Sequence, residues 1–588
     1  MASYASTGGL SATGKRWALC DCDEGQRDEL VAALGVSPIV AQLLLNRGVD
    51  DSTNARQFLA PDLNHLHEPS LLPDIDKAVE RIRRAIGEGE KVLIYGDYDA
   101  DGVTATSLLI LLFAQFGQKP GYYIPHRVDE GYGLHAEAIE AAAADGVGLI
   151  VTVDCGISSV AEVERARELG IDVIITDHHE PGREVPNACA VVNAKLTGCL
   201  YPYRELAGVG VAFKLAWALG QAFSPAKRVT SEFRRFLVDA MGLVALGTVA
   251  DVVPLTGENR VFAAFGLQAL QGSAQPGMVA LIRQVGIEGK ALSPRDVSFK
   301  LAPRLNAAGR LGAADVCVEL LTCDSPERAA EIASELDECN RSRQRVQAAI
   351  VTSAREQLLS DPQWEERRSI VLADSEWHAG VLGIVASKLT EEFHRPTILL
   401  AIDGDQVRGS ARSVPGVNMF AAIDACGDLL TSYGGHSGAA GVRMPLAQLD
   451  AFRERFESQV VAQLDGEEPC DVVEVEAEVV LGAVGHGLVS ECDRLAPYGQ
   501  GNPAPVLVCS DLAVAGQPRL MGRQGQHVSF YVRQGTTSRR VIGFNLGGVY
   551  DKLSSGNAVC DIAFTPRLNK FRGTEEIELE MCDLRFRH

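Results

Sequence analysis

The chain has 588 residues, a formal net charge of −22, and is 46% hydrophobic and 22% charged. That length exceeds what one hydrophobic core supports, so two to four domains are expected, and the composition excludes a disordered or fibrous chain. The acidity excludes diffuse long-range attraction to nucleic acid or anionic membranes, so any bound polyanion must be met by local basic pockets or by metal ions.

Along the chain, MASYASTGGLSATGKRW lacks a long apolar core and reads as a mobile start. No 18-residue apolar run appears anywhere, so a cytoplasmic protein that does not engage a membrane is expected. The 14 cysteines form no zinc-type CxxC pairs, Cys20-Asp21-Cys22 being the nearest approach, and read as reduced packing residues. From Lys91 to Asn193, KVLIYGD, TATSLLILLFAQFG, LIVTVDCG, AEVERARELG and IDVIITDHH alternate between strand-like and helix-like patterns, which predicts βαβ units on a parallel sheet. Helical patterns follow over Leu206 to Gln221 and Glu232 to Leu246. Asp324-Ser325-Pro326-Glu327 reads as a helix start, and the pattern then runs without Gly or Pro to about Ser360, roughly 50 Å of helix able to connect two domains. A second α/β pattern comprises SIVLAD, a helix over Ala379 to Phe393, and PTILLA. After the acidic stretch Asp465 to Glu468 the chain turns to short strands, from EVEAEVVL to EEIELEMCDLRF, which predict a small barrel or sandwich.

Within this pattern, Gly96-Asp97-Tyr98-Asp99-Ala100-Asp101-Gly102 directly follows the apolar run Val92 to Tyr95. Alternate residues of an extended chain share a face, so Asp97 and Asp99 can converge. Asp154 follows LIVTV, Asp177-His178-His179 follows DVIIT, and Asp251 follows LVALGTVA. Ligands of open parallel sheets bind beyond the carboxyl ends of the strands. Carboxylates gathered there repel one another unless cations neutralise them. Mixed carboxylate and imidazole donors suit manganese or magnesium better than structural zinc. Any one of these aspartates alone could simply cap a helix.

DYDADG, VDCG, DHH and TVAD occur in the order found in the DHH phosphoesterase superfamily, and the chain from about residue 70 resembles its RecJ family of bacterial single-strand-specific 5′ exonucleases. The resemblance implies two Mn2+ ions, or Mg2+, held by Asp97, Asp99, Asp154, His178 and Asp251, with Asp154 bridging and His179 contacting the scissile phosphate or orienting a ligand. Many DHH relatives carry a histidine four residues before the first aspartate, where this chain has Leu93; RecJ-like members also lack it, which leaves one metal with fewer protein ligands.

Arginine offers a planar fork suited to phosphate. Arg127 lies in Pro125-His126-Arg127, and Arg310 in a stretch resembling the PRLNAAGRL signature of RecJ; the resemblance implies that Arg127, Arg310 and Arg412 grip a 5′ phosphate. Gly409-Ser410-Ala411-Arg412-Ser413 and Gly434-Gly435-His436-Ser437 resemble the DHHA1 domain and read together as a phosphate clamp involving Ser410, Arg412, Gly434, Gly435 and His436. Leu568-Asn569-Lys570-Phe571-Arg572-Gly573 is similar to the RecJ OB-fold, in which Phe571 and Arg572 would contact a single strand by stacking and charge. Many relatives have tryptophan where Phe571 stands. Tyr498-Gly499-Gln500-Gly501-Asn502-Pro503 also matches, although a turn explains it equally well.

The expected architecture is α/β: an N-terminal extension (1–70), a parallel-sheet DHH domain (71–323), a connecting helix (324–362), a DHHA1 domain (363–464) and a β-rich OB-like domain (465–588). The expected activity is metal-dependent 5′-to-3′ hydrolysis of single-stranded DNA to mononucleotides in repair and recombination, with single-strand-binding protein and a RecQ-type helicase as partners. A small-substrate DHH phosphodiesterase, acting on nanoRNA or cyclic dinucleotides, and a non-catalytic scaffold resembling the Cdc45 group are the alternatives. The PRLNAAGRL stretch and the OB-like region argue against the first, and the complete set of ligand candidates argues against the second.

Overall fold

The βαβ pattern between Lys91 and Asn193 folds into a five-stranded, all-parallel sheet built from β1 (Val92–Tyr95), β2 (Gly121–Tyr123), β3 (Leu149–Val153), β4 (Asp172–Thr176) and β5 (Ala190–Val192). The computed structural model describes residues 4–6, 9–127, 129–224, 228–312, 314–466, 469–555, 558–571 and 574–587. The strand order is β2-β1-β3-β4-β5. The chain therefore reverses its direction of travel between β1 and β3, and the loops that leave those two strands part to open a crevice, the place where doubly wound sheets bind ligands. Every residue of β3 is buried, as expected of a parallel strand covered on both faces. Helices α1 (Ala100–Gln115), α2 (Gly208–Ala222) and α3 (Ser231–Ala250) pack on one side of this sheet and share its largest core with Ile94, Val151 and Ile174.

The short helix α4 (Ala302–Leu311) precedes the 35-residue helix α5 (Pro326–Ser360), which starts with the Ser325 hydroxyl capping the Arg328 amide and with proline in the first turn. Ala329, Ile332 and Leu336 of α5 belong to the core beneath the parallel sheet, whereas Ile350, Val351, Ala354 and Leu358 pack with α6 (Ala379–Phe393). One continuous helix thus joins two cores. The second sheet has the order β9-β10-β8-β7-β6, from β6 (Ile370–Asp374), β7 (Thr397–Asp403), β8 (Gln406–Arg412), β9 (Ser432–Gly435) and β10 (Ala439–Pro445); only β6 and β7 run parallel.

The chain divides into two compact units, residues 63–469 and residues 1–62 together with 470–588. In the second unit β11 (Leu507–Met521), β12 (His527–Gln534), β13 (Thr537–Gly543), β14 (Val559–Phe571) and β15 (Thr574–Arg587) follow the order β11-β12-β13-β15-β14, and pairing of β11 with β14 closes the barrel. The N-terminal residues belong to this barrel unit. Leu43 and Leu44 of the helix Pro38–Asn46 share a core with Leu481, Leu495 and Phe564. The Trp17 indole donates to buried Asp583 at 2.8 Å, and Arg47 pairs with Glu476 with both side chains almost fully buried. Arg47 also donates to Asn502 Oδ1 at 2.8 Å and to the Pro503 carbonyl at 2.7 Å. The amide of Asn502 closes the turn by donating to Leu495 and Pro497, so the Tyr498 to Pro503 segment serves as a turn that receives Arg47. Among the described residues no single helix is long and apolar enough to cross a membrane, and all 14 cysteines are free. Arg572 and the Phe571 side chain lie outside the described residues.

Removing one member of a buried ion pair leaves the other charge uncompensated, at a cost of about 3–5 kcal/mol. Arg47→Ala is therefore expected to destabilise the barrel unit by that amount in urea unfolding monitored at Trp17. A loss below ~1 kcal/mol would show that the N-terminal segment is not anchored through this pair.

Candidate metal centre and phosphate pocket

Asp97 and Asp99 leave the end of β1, Asp154 the end of β3, and Asp177, His178 and His179 the end of β4, so the sheet itself delivers these groups to one crevice. Asp251 arrives from elsewhere, as the residue that ends α3. Ligand atoms of Asp97, Asp99 and Asp154 lie within 4.8 Å of one another, as do those of Asp154, His178 and His179, and those of Asp101, His178 and Asp251. His178 Nε2 is 3.1 Å from Asp154 Oδ1 and 3.5 Å from Asp251 Oδ2. Asp154 is common to two of these groups and stands between them.

Backbone strain marks the same place. Asp154 has φ of 61° and Val252, directly after Asp251, has φ of 62°. A β-branched residue in the left-handed region is held there only by its surroundings. Close packing adds to the constraint, since a Cβ on Gly208 would lie 2.6 Å from Asp154, and one on Gly309 would lie 2.5 Å from the Tyr98 carbonyl oxygen.

The electrostatics are those of an uncompensated anionic cluster. Burial, followed by repulsion from neighbouring aspartates, raises the carboxyls of Asp97 and Asp154 well above the usual range and pushes Asp251 up to about 9. Burial and the nearby His179 lower His178 to about 3, which keeps its imidazole neutral and able to act as a ligand. Asp97 Oδ1, Asp154 Oδ1 and His178 Nε2 are buried with no hydrogen-bond partner among the described residues. Buried polar atoms are normally satisfied. Orphaned oxygens beside a neutral imidazole form a donor set that fits manganese or magnesium.

Three neighbours of the cluster carry roles that the motif reading did not assign. Asp101, fully buried, accepts the Gly208 and Val209 amides at 2.6 and 2.9 Å and thereby ties the start of α1 to the start of α2. Burial and Asp99 push its carboxyl up to about 7. Asp177 accepts from the backbone amides of Ile157, His178 and His179 and from His179 Nδ1 at 2.8 Å. Although burial opposes it, the hydrogen bond from His179 holds this carboxyl below its ordinary value. Tyr132 donates to the Asp154 carbonyl at 3.2 Å, and its hydroxyl lies 2.9 Å from His179 Nδ1. DYDADG and DHH contain the two aspartates, whereas Tyr132 left only the weak signal of an aromatic between two glycines. Asp99 both joins the cluster and caps α1, accepting from the Asp101 and Gly102 amides.

The arginines gather beside the acids. Arg127 lies 4.6 Å over the ring of Tyr98, the residue between Asp97 and Asp99. Arg310, at the end of α4, donates to the Gly380 carbonyl at 3.0 Å, and burial with Arg127 and Arg343 nearby lowers it to about 9. Arg412 is lowered by burial and by Arg127, and donates to Ser387 Oγ and the Ala411 carbonyl. Among the described residues none of these three forms an ion pair with a carboxylate, a costly arrangement that an anion would relieve. Asn306, in the same signature as Arg310, accepts the Ala100 amide at 2.8 Å and locks α4 to the start of α1. Arg304 is committed to Asp337. Arg127, Ser410 and Gly434 line one cavity of about 400 Å³. Gly435 and His436 are not among its lining residues: the Gly435 backbone pairs with Ala440, and exposed His436 accepts the Gly438 amide within its own turn.

Residues 91–248 match the DHH family N-terminal domain, residues 367–462 the DHHA1 domain and residues 475–583 the RecJ OB domain. The chain is 37% identical to the single-stranded-DNA-specific exonuclease RecJ of Bacillus subtilis over 576 residues, covering 98% of this chain and 71% of the relative. It is 36% identical to the Escherichia coli protein of the same description, covering 92% and 95%. The crystal structure of RecJ in complex with Mn2+ from Thermus thermophilus superposes with a TM-score of 0.82 at 31% identity, covering 97% of this chain and 80% of that one. A Mg2+ complex from the same organism superposes at 0.76.

Protons and cations compete for these carboxyls. The folded values of Asp97, Asp101, Asp154 and Asp251 lie above the unfolded value of 3.8, up to about 9 at Asp251, so between these limits the metal-free folded state binds more protons than the unfolded state through these groups. Its stability therefore falls as pH rises through that window. Metal-free protein is expected to melt lower at pH 8 than at pH 6 in differential scanning fluorimetry, and the rise in Tm on adding Mn2+ is expected to be larger at pH 8. Equal Mn2+ shifts at the two pH values would contradict the proton–metal exchange.

Proposed function

This chain belongs to the RecJ family of DHH phosphoesterases, and from that premise we propose how its residues carry out metal-dependent hydrolysis of single-stranded DNA. It is a single-strand-specific exonuclease that takes Mn2+ or Mg2+ as cofactor. The observation that carries the residue-level reading is the juxtaposition of unneutralised buried acids with guanidiniums that have no carboxylate partner among the described residues, Arg127 lying over Tyr98 between Asp97 and Asp99.

In this reading Asp97, Asp99, Asp154, His178 and Asp251 would hold two divalent cations, Asp154 belonging to two of the donor groups. The bound cations supply activation of water and stabilisation of the charge that develops on the phosphate. Arg310, Arg412 and Arg127 receive the 5′-terminal phosphate, whose extra charge distinguishes it from an internal phosphodiester. With that phosphate seated, the next one along the strand lies over the acids, so hydrolysis releases a mononucleotide and proceeds 5′ to 3′. His179, held through Nδ1 by Asp177, keeps Nε2 for a hydrogen bond to the scissile phosphate. Neither Asp177 nor Asp101 is needed as a ligand, since the first orients His179 and the second braces α2 against the cluster. Residues 470–588 add a grip on longer strands through the barrel. DNA repair and recombination generate the substrates, and single-strand-binding protein and a RecQ-type helicase are the partners such ends imply.

Loss of a group that only orients a metal ligand costs 10–100-fold, so loss of a ligand should exceed this. Asp154→Ala, His178→Ala and Asp251→Ala are each expected to lower Mn2+-dependent turnover by about a hundredfold or more while the melting profile stays cooperative. Near-normal turnover in any two folded variants would remove the ligand assignment. Arg310→Ala is expected to lower the preference for 5′-phosphorylated over 5′-hydroxyl ends by about tenfold, the equivalent of one charge-assisted hydrogen bond. An unchanged ratio of the two rates would reject its role.

A further inference from the structure

The second sheet carries positive charge that gripping one terminal phosphate does not use. Residues 408, 410 and 412 alternate along β8 and so share the face that bears Ser410 and Arg412. On that face Arg408 stands directly opposite Arg443 of β10, Ser410 opposite Gly441, and Ser432 of β9 opposite Arg443. This pair of cationic residues lies next to a floor without side chains. A Cβ on Gly434 would meet nothing within 4 Å, and one on Gly441 only the Gly409 carbonyl oxygen at 3.9 Å. Arg127, Arg408, Ser410, Gly434 and Arg443 line the same cavity of about 400 Å³, with Gly380 at the start of α6 on its wall. Two acids also border it, but Asp129 is turned to His126 at 2.7 Å, and Glu130 accepts from the Tyr123 hydroxyl and the His126 amide. One strand repeat, roughly 7 Å, separates Arg408 from Ser410, and another separates Ser410 from Arg412. The trough therefore continues outward from the place assigned to the 5′ phosphate.

We propose that the trough floored by Gly434 and Gly441 and flanked by Arg408 and Arg443 is a subsite for further phosphates on the strand end, so that the enzyme accepts 5′-polyphosphate termini. This rests on the assignment of Arg310 and Arg412 to the first phosphate. The chemistry is the same hydrolysis one nucleotide in. Water adds to the phosphorus of the first internal phosphodiester, the bond from that phosphorus to the 3′ oxygen breaks, and the 3′ oxygen takes a proton. The terminal nucleotide leaves as a nucleoside 5′-triphosphate and the shortened strand keeps a 5′ monophosphate. Every later turnover releases a nucleoside monophosphate.

The test uses the full-length protein and one oligodeoxynucleotide made with a 5′-hydroxyl, 5′-monophosphate or 5′-triphosphate end. Binding is read by fluorescence anisotropy in EDTA, and the first product with Mn2+ is read by anion-exchange chromatography. The triphosphorylated strand is expected to bind about tenfold more tightly than the monophosphorylated one and to yield a nucleoside triphosphate first. Arg443→Ala and Arg443→Glu should abolish that increment while leaving binding and turnover of the monophosphorylated strand unchanged. Arg443→Lys, which keeps the charge without the fork, should retain part of it. Weaker binding of the triphosphorylated end by the unaltered protein, absence of the triphosphate product, or an increment that survives in Arg443→Glu would each overturn the subsite. If the monophosphate also loses its advantage over the hydroxyl, the first-phosphate assignment falls; if that advantage stands, only the trough is lost.

Discussion

Repulsion among carboxylates that the fold has buried together is the constraint on which the rest of this structure depends. Asp97, Asp99, Asp154 and Asp251 converge where β1 and β3 diverge, with Asp154 and Asp97 almost without solvent. Water cannot screen them there, so the protein must either bind protons or bind cations. Evidence that the cluster is imposed on the chain lies in the backbone, since Asp154 and Val252 both take left-handed conformations that would relax if nothing held them. The ties are specific: Asp101 fastens α1 to α2 through two amides, Asn306 fastens α4 to α1, and Gly208 and Gly309 permit approaches that any side chain would block.

The neighbouring arginines face the complementary problem. Arg310 and Arg412 are largely buried without carboxylate partners among the described residues although the chain has a large surplus of acids. Pairing them with those acids would have stabilised the apo protein and closed the site. Leaving both sets unneutralised, with Arg127 over the ring of Tyr98 between Asp97 and Asp99, places attraction for anions beside attraction for cations.

How much of this the sequence reveals depends on distance along the chain. Strand-end acids are legible because a short apolar run followed by aspartate has one structural reading on a parallel sheet, and VLIY, LIVTV and DVIIT all form strands that deliver their acids to the crevice. The 35-residue helix is legible from its Ser-Pro start and its uninterrupted pattern. Asp101 was visible as a third acid of DYDADG, but its use depends on α2, more than a hundred residues later. Pairing of Arg408 with Arg443 depends on register across β8 and β10, which local pattern does not specify. The same limit explains the N-terminal segment. Trp17 meets Asp583, 566 residues away, and Ala41, Leu43 and Leu44 look like any short helix until the barrel that buries them is present.

Net charge then decides what kind of binding is possible. A surface with so large an excess of acids repels a polyanion wherever it is not locally basic or metal-loaded, so contact with a strand is limited to such places. Burying Arg310 and Arg412 without carboxylate partners among the described residues provides such a basic place, since an acid beside them would cancel its attraction for phosphate.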